Sequence, residues 1–298
     1  MTTVVRPLDL AEAEAVAALI NAHSLALHGV PDLSAGAIRE WLANDAAEAR
    51  VAETDGELVC YGDILLSVTG ERADLDVREH PKHRGVSRMM LDELEAIAAD
   101  CGATTVRAYA VGEDLSLATV LAERGYRTIR HSYQMLVSLD TTLDEPQWPY
   151  GTGVRTMAEG EERAVRDASN DAFADHWGFE EQPYERWASW WLESERFDRS
   201  LNFVAVDGDQ IAGVCLCSIH WSGDPSYGWV QLLGVRPAWR RRGIALALLL
   251  HAFAEFQRRG CDRVGLGVDA QSTTGALELY ARAGMHVERR ADTLERPV

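Results

Sequence analysis

Lysine is all but missing from this chain. Lys82 is the only one, so 28 of the 29 basic residues are arginines. Positive charge is scarce as a whole: 47 acidic residues outweigh the 29 basic ones and leave a formal charge of −18. Phosphate-binding surfaces are usually basic, so no nucleic-acid partner is expected. An acidic surface instead favours cationic small molecules. Long apolar runs are lacking too. The longest, residues 244–250, falls far short of the roughly 18 residues that span a bilayer, and no membrane partner is expected. The N-terminus lacks the basic-then-apolar pattern of a secretory leader. Cysteines are few, odd in number and without CxxC spacing, so neither a disulfide framework nor a metal is expected. They are read as reduced, mostly buried thiols of a cytoplasmic protein, with Cys215 and Cys217 on one face of a core strand.

What is present is a globular mixture, 47% hydrophobic and 26% charged over 298 residues. That length suits two domains of about 150 residues each. A pattern recurs. Val5-Arg6 and Val154-Arg155 open the two halves, each before an alanine- and glutamate-rich helical stretch. The hairpin turns Asp55-Gly56 and Asp207-Gly208 each separate two apolar runs. Pro81 and Pro237, then Gly125 and Gly284, continue the series in order. The offset grows from 149 to 152, 156 and 159 residues, as expected for a duplication with small insertions in the second copy. The expected domains are 1–140 and 154–298, joined by a polar linker at 141–153 that carries Pro146 and Pro149. Each copy reads as a strand, one or two helices, a three-strand meander, a helix, a strand, a helix and closing strands. The expected class is α/β, mixed α+β.

The second copy is less acidic, and its arginines cluster. At "VRPAWRRRGIA", residues 235–245, a strand ends, an arginine-rich loop turns and a helix begins near Gly243. Helix N-terminal amides and the helix dipole make an anion site, and glycine admits a close approach. Taken alone, such a charge cluster is equally a solvated loop. The helix should run to Arg259 with Gly260 beyond it, before a strand through Val264, Leu266 and Val268. Thr273 or Thr274 then caps a second helix that Gly284 ends.

These residues resemble a family. The segment fits the Gln/Arg-x-x-Gly-x-Gly/Ala pyrophosphate loop of the GNAT superfamily of acetyl-CoA-dependent N-acetyltransferases, at Arg240, Gly243 and Ala245. "VDAQSTTGALELYARAGM", residues 268–285, is similar to that family's last helix, at Ala276, Leu279, Tyr280 and Gly284. The duplication resembles two-domain members of the superfamily, mycothiol-synthase-like proteins among them. The resemblance implies two tandem domains, each a mostly antiparallel, splayed sheet flanked by helices. It implies that acetyl-CoA lies between strands 229–235 and 264–268. Leu233, Gly234 and Val235 would hold the pantetheine and polarise the thioester. Arg240, Arg241, Arg242, Gly243, Ile244 and Ala245 would cradle the pyrophosphate, and Ser272 would add a contact. Tyr280 would be the general acid for the departing thiolate. The bland alternative is a tyrosine packing its ring in a core.

Departures matter as much. The first copy has a shorter loop, "HPKHRGVS" at 80–87, and aligning Gly125 with Gly284 sets Leu121 opposite Tyr280. It is therefore expected to be inactive, and either to bind CoA non-productively or, the favoured reading, only to buttress the second copy. Ser272 and Thr273 stand where related tandem proteins often carry Asn. The strand bears Trp229 and Gln231 where some relatives keep a glutamate base. Candidates for the base are His176, Glu180, Glu181, His220, Asp224 or a water chain. Seven of nine tryptophans fall between 177 and 239. His176, Trp177, Glu180 and Trp229 are candidate walls of an acceptor pocket, although Trp190 and Trp191 equally suit a helix buried on the sheet. The expected function is acetyl transfer to the primary amine of a small molecule, directly within a ternary complex, by a monomer or homodimer. The alternatives are a non-catalytic acyl-CoA-binding or regulatory module, and an acceptor that is the amine of a thiol-sugar.

Overall fold

A computed structural model describes residues 2–43, 47–140, 142–272 and 274–298. In chain order the elements are β1 (Thr3–Pro7), α1 (Ala13–His28), α2 (Ala35–Leu42), β2 (Ala47–Thr54), β3 (Glu57–Leu66), β4 (Arg72–Glu79), α3 (Val86–Asp100), β5 (Thr105–Val111), α4 (Leu115–Glu123) and β6 (Arg127–Ser138). The series then repeats as β7 (Thr152–Thr156), α5 (Glu162–Phe173), α6 (Tyr184–Trp191), β8 (Asn202–Asp207), β9 (Gln210–Ile219), β10 (Tyr227–Val235), α7 (Ile244–Arg258), β11 (Arg263–Asp269), α8 (Ala276–Arg282) and β12 (His286–Pro297).

The chain forms two compact units. Unit 1 holds the described residues of Met1–His131, with Trp221–Gly223 and Arg290–Val298; unit 2 holds Ser132–His220 and Asp224–Arg289. These differ at their ends from the halves 1–140 and 154–298. In unit 1 the sheet runs β1-β2-β3-β4-β5 and closes on the C-terminal half of β12, which lies antiparallel to β5 from Ala291 to Pro297. In unit 2 it runs β7-β8-β9-β10-β11 and closes on Ser132–Ser138 of β6. Each sheet is thus completed by the last strand of the other copy. All neighbours are antiparallel except one pair per unit, β4 with β5 and β10 with β11.

The duplication is visible in chemistry as well as topology. In unit 1 Arg6 grips Glu12 at 2.7 Å, and Glu12 also accepts from the Asp9 amide. In unit 2 Arg155 grips Glu161 at 2.5 Å, and Glu161 accepts from the Ala158 amide. Both glutamates sit where a helix begins, where a carboxylate complements exposed amides and the dipole.

In unit 1, α1 packs Val16, Leu19 and Ile20 on Val51 and Tyr61, while α3 packs Met90, Leu91 and Leu94 on the opposite face. The segment Leu10–His28 is long and apolar enough to cross a membrane by length and composition, and its apolar face is the one packed on β2 and β3. In unit 2, β9 is covered on both faces. Hence "QIAGVCLCSI" reads as a continuous apolar run rather than an alternating one. α7 buries Leu248, Phe253 and Phe256 on one side, and α5 and α6 bury Val165, Ala168 and Trp191 on the other. Cys215 and Cys217 are fully buried with sulfurs 3.5 Å apart, and Cys101 is the exposed cysteine.

Unit 1 also holds a charge cluster around the buried Asp63. Arg78 sits among Asp32, Asp63 and Asp76, too many carboxylates for one guanidinium. Desolvation, then the charge of Asp76, pushes Asp63 up to about 8. The native state therefore holds a proton that the unfolded chain gives up near pH 4. This stability is complete below that pH and is lost as pH rises through about 8. Asp63→Asn is expected to remove the slope, so its melting temperature should gain on wild type between pH 5 and pH 9. A constant difference between the two would contradict this charge assignment.

Candidate active site

β10 and β11 pair only over Tyr227–Val230 and Arg263–Leu266. Beyond that they part, and the shift in register at Val230/Leu232 against β9 helps turn β10 away. A cleft of about 470 Å³ opens in the gap, a size suited to small-molecule sites. Leu233, Gly234 and Val235 form one side, Gly267 and Ser272 the other, Tyr280 and Leu279 of α8 lie along it, and the start of α7 closes an end.

That end has the features of a helix N-terminal anion site. Gly243 caps α7 at φ 91°, a left-handed conformation open to glycine, which aims the next amides into the cleft. Among the described residues no side chain accepts from the amides of Ile244 or Ala245. α7 is held rigidly behind by Ile244, Ala247 and Leu248. The opposite wall depends on a second glycine. A Cβ at Gly234 would lie 2.8 Å from the Ala172 Cβ and 2.9 Å from the Phe173 ring, so α5 rests directly on β10.

The three arginines diverge. Arg240 donates to the carbonyls of Val235 (3.1 Å) and Ala172 (3.1 Å) and holds Asp175 at 2.5 Å. It staples the end of β10 to the end of α5. Its guanidinium in turn keeps Asp175 ionised, down to about 2. Arg242 turns to Asp207 at 3.5 Å, and Asp207 also accepts from the Trp239 indole at 2.9 Å. Arg241 lines the cleft and, among the described residues, pairs with no carboxylate. Its backbone is left-handed at φ 63°, unusual for a residue with a side chain.

Tyr280 is 8% exposed and lines the cleft. Among the described residues its hydroxyl has no hydrogen-bond partner. Burial, then nearby Cys215, pushes the phenol up to about 12, so it is protonated at any physiological pH.

The cleft thus brings together Tyr280, Leu233, Gly234, Val235, Arg240, Arg241, Gly243, Ile244, Ala245, Ser272 and His176. Arg242 stays outside, drawn off by Asp207. Trp177, Glu180 and Trp229 do not line it either. Trp177 is 46% exposed. Trp229 lies across Gly265, 2.7 Å from where a Cβ would be, and edge-on to His220 at 5.0 Å. Among the candidate bases, Asp224 is held by Arg263 at 2.6 Å, Glu181 faces Arg166 at 3.5 Å, and His220 stacks on Tyr227 at 4.2 Å. His176 alone of the five lines the cleft, its ring against Phe173 at 4.4 Å. The helix α8 starts at Ala276 on Gly275, at φ 78°, rather than on Thr274; Thr273, the other expected cap, lies outside the described residues. A left-handed glycine turns the chain into the helix without a side-chain cap. Asp175 and Asp207 were not legible as site residues, since nothing in their spacing links them to arginines 65 and 35 positions away.

Comparison with known proteins shows the family and the fold. The model of the acetyltransferase (GNAT) family matches residues 163–285. A mycothiol acetyltransferase of Geodermatophilus obscurus is 33% identical over 294 residues, covering 93% of this chain and 92% of that one. The crystal structure of a GCN5-related N-acetyltransferase from Sphaerobacter thermophilus superposes with a TM-score of 0.82 at 35% identity, over 99% of this chain and 95% of the other. A tandem GNAT protein from the clavulanic acid biosynthesis pathway shares the fold, with a TM-score of 0.82 at 17% identity over 99% and 98% of the two chains. The chain belongs to the GNAT family of acetyl-CoA-dependent N-acetyltransferases, as a tandem, two-domain member.

Proposed function

We propose that unit 2 transfers the acetyl group of acetyl-CoA to the primary amine of a small molecule, directly and without an enzyme-bound acyl group. One observation carries the reading: a single cleft has free helix amides at one end and a buried, protonated, unpaired phenol along its wall. Acetyl-CoA supplies the acyl group as an activated thioester. The amides of Gly243, Ile244 and Ala245, with Arg241, receive its pyrophosphate. Backbone groups of β10 beyond Val230 align the arm, where strand pairing to β11 has ended. The neutral amine nitrogen forms a bond to the carbonyl carbon as the C–S bond breaks. Tyr280 delivers its proton to the leaving sulfur, and His176 takes the proton that the amine sheds; exchange through water returns a proton to the Tyr280 phenolate, so both side chains end as they began. The acidic chain favours a cationic acceptor.

The amine of a thiol-sugar acceptor is a second reading, favoured by relatives named mycothiol acetyltransferase. The test is turnover with acetyl-CoA and a panel of primary amines that includes such a compound. Release of free CoA dependent on one amine supports the reading; tight CoA binding with no turnover on any amine indicates a binding module instead. A pH profile adds a check. The rate should climb with pH as the acceptor amine loses its proton. With Tyr280 near 12, no falling limb should appear below about pH 10, where an ordinary tyrosine would ionise. A falling limb near pH 8 to 9 would remove Tyr280 from the proton-donor role.

A further inference from the structure

Unit 1 repeats the framework of the cleft and fills it with its own side chains. β4 pairs with β5 only over Arg72–Leu75 and then parts from it, as β10 does from β11. α3 starts on Gly85 at φ 88°, as α7 starts on Gly243 at φ 91°. The amides that follow are not free. The carboxylate of Glu79 accepts from the amide of Val86 at 2.5 Å and from that of Ser87 at 3.1 Å. Glu79 ends β4 where Val235 ends β10. A carboxylate there meets the same donors and the same dipole that would attract an external phosphate.

A second, independent change closes the slot itself. Counting eleven residues from the paired glutamates Glu12 and Glu161 sets His23 opposite Ala172, which lines the cleft of unit 2. His23 is 7% exposed. Its Nδ1 lies 2.8 Å from the Glu79 carbonyl oxygen and its Nε2 3.4 Å from Asp114. Asp114 follows β5 by three residues, as Ser272 follows β11. The imidazole therefore joins the end of β4 to the loop after β5, across the gap where a pantetheine arm would run. Leu121, fully buried, takes the place of Tyr280.

We infer that unit 1 is a self-filled copy of the cofactor cleft and that the protein binds one acetyl-CoA per chain. Glu79 occupies the amides a pyrophosphate would need, and the His23–Asp114 pair occupies the path of the arm. This rests on the reading of unit 2 as the acetyl-CoA site. The test is isothermal titration of the intact protein with acetyl-CoA, alongside hydrogen exchange with and without it. One equivalent should bind. Protection should rise at amides 243–246 and stay unchanged at 86–88. Val235→Glu, which copies the plug into unit 2, should weaken binding by about tenfold or more. Two equivalents, protection at 86–88, or full binding by the Val235→Glu protein would each overturn the inference. No binding at all would instead remove the acetyl-CoA reading of unit 2 on which it rests. The exchange data on the wild-type protein decide the matter even if the variant fails to fold.

Discussion

Replacing Tyr280 with phenylalanine should lower turnover about 100- to 1,000-fold, the range expected when a positioned proton donor is removed. The affinity for acetyl-CoA should stay within about twofold, because the ring that walls the cleft is kept. Stability should barely change. The hydroxyl has no hydrogen-bond partner among the described residues, so its loss orphans nothing inside the protein. This separates the catalytic role from a packing role. A tyrosine that merely fills the core beside Cys215 and Leu279 would show unchanged turnover in the same variant. Steady-state rates with acetyl-CoA saturating, together with a thermal melt, distinguish the two.

The second large effect belongs to Arg241. Arg240 and Arg242 are already engaged, by Asp175 and two carbonyls in one case and by Asp207 in the other. Arg241 faces the cleft with no carboxylate of its own. Arg241→Gly should raise the KM for acetyl-CoA about 10- to 100-fold, the value of a charge-assisted contact to phosphate, with little change in kcat. Its melting temperature should hold or rise, since glycine adopts φ 63° without strain. Arg240→Ala should behave differently, with a lower melting temperature and a KM effect that follows from the loosened staple between β10 and α5. Equal KM effects for Arg241→Gly and Arg242→Ala would contradict the assignment.

The contrast among these arginines marks what a sequence holds. The strand, turn and helix at 235–245 were legible because the signals are local: an apolar run, a proline, a glycine at the cap and an apolar helix behind. The same holds for Tyr280, four residues before the glycine, Gly284, that ends a short helix. The fates of Arg240 and Arg242 depend on carboxylates brought in from just beyond α5 and from the end of β8, and no local pattern encodes that. The strands β6 and β12 were legible as strands, yet their partners were not. Alternation with period two specifies a face and leaves the neighbouring strand open. Trp229 looked like an acceptor wall because tryptophans cluster around it; Gly265 gives its ring a bed on the sheet outside the cleft instead. Glu79 lay in plain view, but a glutamate at a strand end resembles any solvated charge until the helix amides are seen around it.

The most direct measurement is a crystal structure of the protein soaked with acetyl-CoA. Density should fill the cleft between β10 and β11. The pyrophosphate should lie on the amides of 243–245 beside Arg241, and the thioester sulfur should come within hydrogen-bonding distance of the Tyr280 hydroxyl. No cofactor in that cleft, or a sulfur placed out of reach of Tyr280, would contradict acetyl transfer in unit 2 by this mechanism.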